Sequence, residues 1–218
     1  MSGFFNQDNP FWRFINTLTD IVLMNLVFVI CCLPVVTIGP VWTAMYYTMM
    51  KSVRRERGYV FKNFLHSLKQ NFVQGLVCWL VLLIFGGTAG FSIWSMWKQT
   101  ENGGNGLFLF WVSVFVLLFV ICLAMYIFPA LSRFNFSVGE LFAFAAVVGV
   151  KYFYITLALL AMFAAAILAC YLYLPLLVLG MPVLFIFVSS FLIEKIFKAY
   201  MPKFDENDDT VRDQWYYE

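Results

Sequence analysis

The chain has 218 residues, of which 63% are apolar and 12% charged, with a net charge of +2 and a mean hydropathy of +0.84. A soluble domain carries about 25% charged and 45–50% apolar residues, so an ordinary water-soluble fold is excluded. Twelve of the fourteen Lys and Arg residues fall into three stretches, Lys51 to Lys69, Arg133 to Lys151 and Lys195 to Arg212, separated by apolar runs without any charge. Because basic residues near span ends are retained on the inner side, all three stretches are expected to face the cytoplasm.

The first charge-free run encloses 30 residues between Asp20 and Lys51. That exceeds one span of about 20 residues and falls short of two spans with a turn. One span from about Leu18 to Leu33 is expected, ended by Pro34. Thr37-Ile38-Gly39-Pro40 then forms a turn, with Pro40 as the first residue of a short helix over Val41 to Val53 that lies in, or dips into, the cytoplasmic face. A full crossing there would raise the count to six spans and bring the N-terminus inside. Beyond it, Arg54, Arg55 and Arg57 form a basic group suited to anionic lipid headgroups.

From Tyr59 to Phe72 the apolar residues Phe61, Phe64, Leu65, Leu68 and Phe72 recur at helical spacing opposite Lys62, His66 and Lys69, which predicts an amphipathic interfacial helix. The runs Lys69 to Lys98 and Glu101 to Arg133 each hold one span, the second ending near Pro129. Ser137 and Glu140 have the spacing of a helix capping box and precede an apolar segment, Leu141 to Val150, too short to cross. The run from Lys151 to Glu194 encloses 42 residues, about 63 Å of continuous helix, and has to fold back. Leu174-Pro175 is the natural break, leaving spans over Tyr152 to Leu174 and Leu176 to Ile193, the latter kinked at Pro182.

The expected fold class is therefore all-α, a polytopic membrane helix bundle with about five transmembrane helices plus cytoplasmic interfacial helices. Residues 1–203 form a single integral membrane domain, and 204–218 a polar, flexible cytoplasmic tail. Five spans place the N-terminus outside and the C-terminus in the cytoplasm. No basic leader precedes the first span, which is expected to stay in the mature protein.

Little in the sequence carries chemistry. No titratable residue is expected near the centre of a span, His66 is the single histidine, and the five cysteines lie in apolar runs without metal-ligand spacing. Catalytic, metal-binding and cofactor-binding residues are accordingly expected to be none. Asn25, Thr88, Ser92, Ser113, Thr156, Ser189 and Ser190 could line a polar path, but helix-helix or local backbone bonding is the commoner use of such residues. Small residues suggest helix packing: Gly86 and Gly90 in the second span, and Ala161, Ala165 and Ala169 in the fourth, against this chain or a second copy of it.

The segment Leu33-Pro34-Val35-Val36-Thr37-Ile38-Gly39-Pro40, followed by Ala44-Met45-Tyr46-Tyr47, resembles the signature of the YesL family of bacterial membrane proteins. Phe61-Lys62-Asn63-Phe64, Pro129 to Phe134 and Glu194-Lys195-Ile196-Phe197 fit the same pattern. The family has no established molecular activity, and its members often occur beside carbohydrate ABC importers and glycoside hydrolases. The resemblance implies a non-enzymatic plasma-membrane accessory of a carbohydrate importer, with the bilayer and a permease as partners and no nucleic acid. The alternative is a transporter or channel for a small neutral solute.

Overall fold

In a computed structural model, residues 10–54, 59–101, 107–173, 175 and 180–200 are described. Among them are seven α-helices and no strand. They are α1 (Pro10–Cys31), α2 (Ile38–Thr48), α3 (Val60–Glu101), α4 (Leu107–Leu131), α5 (Val138–Lys151), α6 (Phe153–Leu172) and α7 (Met181–Phe197). A 3₁₀ turn, Val35–Thr37, leads into α2, and a π-helical turn, Met49–Arg54, follows it.

Among the described residues, three helices are long and apolar enough to cross a bilayer: α3, α4 and α6. The apolar part of α1, Leu18–Cys31, is shorter, and the 17 residues of α7 rise about 26 Å. The outer faces of the long helices are greasy, with Phe85, Trp111, Phe115 and Leu168 all more than half exposed. In water that surface would be an aggregation liability; against hydrocarbon it is the ordinary condition.

The amphipathic segment is not a separate interfacial helix. It continues without a break into the second span, so that α3 runs for 42 residues, about 63 Å. No proline interrupts Val60–Glu101, and nothing at the join stops helix propagation. His66 is exposed, but of the expected apolar face only Phe64 is buried and Leu68 partly so; Phe61, Leu65 and Phe72 are exposed, and Ser67 takes a core position instead.

The short helix after Pro34 also differs from expectation. It spans Ile38–Thr48 rather than starting at Pro40, which is its third residue. Proline is harmless there, because the first four helical N–H groups have no partner within the helix. Eight of the eleven residues of α2 are buried, and it packs against α1, α3, α4 and α7. An interfacial helix would keep one face in lipid headgroups; α2 is instead the innermost element of the bundle.

Pro129 and Pro182 sit near helix ends. Pro129 lies inside α4, where its missing N–H withholds the usual donor from the Met125 carbonyl, and the helix ends two residues later. Pro182 does not kink the last helix: α7 starts at Met181, so Pro182 occupies its first turn. Gly180 makes that start with φ +134°, a backbone conformation that glycine adopts without a steric penalty. Ser137 and Glu140 form the expected capping box at α5: the Ser137 N–H donates to Glu140 Oε2 at 2.7 Å, and the Glu140 N–H donates to Ser137 Oγ at 3.4 Å. The bond from the Ser137 backbone, with that from its side chain, holds the Glu140 carboxyl below the usual carboxylate range.

Candidate functional site

The conspicuous junction of the bundle is the place where α2 crosses α3. A Cβ on Gly39 would lie 2.5 Å from Trp79 Cβ, 2.7 Å from the Gly75 carbonyl oxygen and 2.9 Å from a Phe128 ring carbon. From the other side, a Cβ on Gly75 would lie 3.0 Å from Pro40 Cα. The two helices therefore meet backbone to backbone, in the manner of small-residue contacts in membranes. Trp79 Nε1–H donates to the Val35 carbonyl at 2.6 Å, tying the 3₁₀ turn to the same stretch of α3. Within the turn, the Thr37 hydroxyl lies 2.6 Å from the carbonyl of Cys31, the last residue of α1, and 2.7 Å from that of Pro34, which also accepts the Thr37 N–H.

From this crossing an aromatic series extends through the bundle. Trp79 and Phe128 have ring centres 6.0 Å apart, Phe128 and Trp42 6.3 Å, Trp42 and Phe185 6.1 Å, and Phe185 and Phe163 5.6 Å. These spacings are within the range of favourable aromatic pairs, and they join α3, α4, α2, α7 and α6 in turn. Trp42 and Phe163 separate two apolar clefts. One, of about 220 Å³, lies among α2, α3, α4 and α6; the other, of about 280 Å³, among α1, α2, α6 and α7.

A second centre lies between the end of α4 and α7. Arg133 Nη2 stands 2.6 and 2.7 Å from the two oxygens of Glu194, with the side chains 1% and 3% exposed. Around it Phe134 stacks on Phe136 at 5.0 Å and meets Phe197 edge-on at 5.4 Å, while Phe144 packs against Tyr200. A buried guanidinium needs a counter-charge, and Glu194 supplies it. Arg133 is thus spent inside the protein rather than at the headgroups.

Of the turn residues, Pro34 is exposed, Thr37 half-buried, and Gly39 and Pro40 buried at the crossing. Gly86 faces Val120 at contact distance, whereas Gly90 has open space where a Cβ would sit. Ala161 and Ala165 are exposed and Ala169 partly so, which leaves that stripe on the outside of α6. Arg54 ends the π-helical turn, and its side chain, like Arg55 and Arg57, lies outside the described residues, as do residues 201–218.

Of the hydroxyls that could line a polar path, Thr156 bonds across to Tyr126 of α4 and four others bond locally. Thr88, Ser113, Ser189 and Ser190 each donate to a carbonyl three or four residues earlier in their own helix. Among the described residues no group of three or more His, Cys, Asp or Glu could hold a metal ion, and all five cysteines are free thiols.

The architecture is that of an all-α, membrane-type bundle built round a buried short helix. Residues 21–93, about a third of the chain, match the model of a family described as "Protein of unknown function, DUF624". The match takes in the second half of α1, both turns, α2 and most of α3, and hence the Gly39–Gly75 crossing. No curated protein and no solved structure matches the chain at a significant level.

Proposed function

We propose that this protein is a non-enzymatic accessory of a carbohydrate ABC importer in a bacterial plasma membrane, packing against its permease. The resemblance to the YesL family supplies the importer. The observation that favours an accessory over a conduit is the character of the clefts: those beside Trp42 are walled by apolar side chains. A saccharide would have to surrender its hydroxyl hydrogen bonds to water there without replacement, at roughly 1–3 kcal/mol for each unmet group. Mild-detergent purification from cells grown on the cognate sugar is expected to recover the permease with this chain. Recovery of the chain alone, after crosslinking, would overturn the reading.

The orientation belongs to the same proposal: N-terminus outside, basic stretches and C-terminus in the cytoplasm. Arg133 drops out of the supporting charge, being buried against Glu194, but the six basic residues between Lys51 and Lys69 remain. Reporters fused to the two ends are expected to read external at the first and cytoplasmic at the second. Both ends reading cytoplasmic would favour six crossings.

A further inference from the structure

A groove of about 530 Å³, the size of a small-molecule site, lies between α1 and the start of α3. Leu23, Met24 and Val27 give it an apolar side, and Tyr59 and Phe61, which are 83% and 57% exposed, line it as well. Unlike the clefts beside Trp42, it also holds a charge. Asp20 lines it, half-buried, and Leu23, Met24 and Val27 follow three, four and seven positions later on the same face of α1. Among the described residues no cation pairs with Asp20 and no group donates a hydrogen bond to it. Its apolar neighbours take away part of its water and return no partner.

Three features of the groove select for one ligand chemistry. The carboxylate attracts cations and repels anions. The faces of the Tyr59 and Phe61 rings are negative, which favours ammonium ions, quaternary ones included. The apolar side of α1 favours an alkyl chain on the same molecule. A metal ion would need further ligands, and among the described residues no three His, Cys, Asp or Glu come together. A saccharide would find one carboxylate and one phenol for its many hydroxyls.

We propose that this groove binds an organic ammonium ion bearing a short alkyl chain, its charge against Asp20 and the rings of Tyr59 and Phe61, its chain against Leu23 and Val27. The proposal is independent of any importer and of the direction in which the chain is inserted.

The test uses the full-length protein in dodecyl maltoside micelles, which carry neither charge nor ammonium. Hexyltrimethylammonium is titrated by calorimetry, with empty micelles as the blank. Saturable binding is expected, and hexanol, which keeps a chain without the charge, should bind about tenfold more weakly or worse. Asp20→Asn should weaken the ammonium ion by a similar factor, roughly tenfold, while Asp20→Glu retains it. Phe61→Leu should cost roughly two- to fivefold, the weight of one exposed cation–π contact. Both positions are on the surface, so the variants should melt with the parent. Added phosphatidylcholine separates the two sources of such a cation: displacement of the probe assigns a lipid headgroup, and its persistence a soluble ammonium compound. No saturable binding in the parent, or equal affinity in the parent and Asp20→Asn, would overturn the site. Binding that emerges only in Arg55→Gln/Arg57→Gln would give the groove to the chain's own basic stretch and overturn it as well.

Discussion

Gly39→Ala should lower the stability of the detergent-solubilised protein by at least the 1–3 kcal/mol or so that overpacking a core usually costs. The added methyl has nowhere to go. Its neighbours would be the Gly75 carbonyl and Trp79 Cβ, both within 2.7 Å, and neither is the free end of a flexible side chain. Relief therefore requires α2 and α3 to move apart, which also stretches the 2.6 Å bond from Trp79 to Val35. Gly90→Ala is the natural control, since no atom lies within 4 Å of the added carbon and a helical alanine outranks glycine by about 0.5–1 kcal/mol. Thermal unfolding followed by size-exclusion fluorescence is expected to rank Gly39→Ala well below the parent and Gly90→Ala level with it or above. Equal melting of the two variants would show that the crossing is looser than described.

Removing Glu194 should cost more. In Glu194→Gln the Arg133 guanidinium keeps its charge in a site 1% exposed, among phenylalanine rings, and loses its counter-ion. Breaking a buried pair from one side typically costs about 3–5 kcal/mol, whereas replacing both members with apolar residues of similar volume is often neutral. The expected order of melting temperatures is therefore Glu194→Gln lowest, with Arg133→Met/Glu194→Met returning most of the loss. If the single and double variants melt together, the pair is not what holds α4 to α7 at this end.

Much of the fold is legible in the sequence. Charge-free runs mark the apolar helices, and Ser137 and Glu140 announce the start of α5; α6 ends at Leu172, just before the expected break, whose Leu174 lies outside the described residues. Where the reading failed, the missing information was tertiary. Nothing local distinguishes an apolar eleven-residue helix at a membrane face from the same helix wrapped by four others, so α2 was misplaced. Pro182 reads as a kink only if the helix is assumed to begin before it, and Gly180 sets the start instead. The join within α3 carried no signal because continuation of a helix requires none.

The functional residues divide the same way. Gly39 was visible as part of the turn, but its partner Gly75 lies 36 positions away and gains meaning only when Pro40 rests on it. The pairing of Arg133 with Glu194 did have a signal: each bounds a charge-free run, and the two carry opposite charge. Counting Arg133 only toward the orientation of the chain hides it. The G-x-x-x-G and alanine spacings were less informative, since spacing alone does not tell an inward stripe from an outward one.

The burial of Arg133 also constrains the order in which the protein is made. Its partner arrives 61 residues later in the chain. Until α7 has emerged, a bare guanidinium at the end of α4 is too costly to sink among apolar side chains, and it has to wait in the headgroup layer where long basic side chains can reach water. Closure of the ring of Phe134, Phe144 and Phe197 is then a terminal step of assembly, gated by synthesis of the last helix. A chain cut short before Glu194 would insert its earlier helices and remain open at that corner.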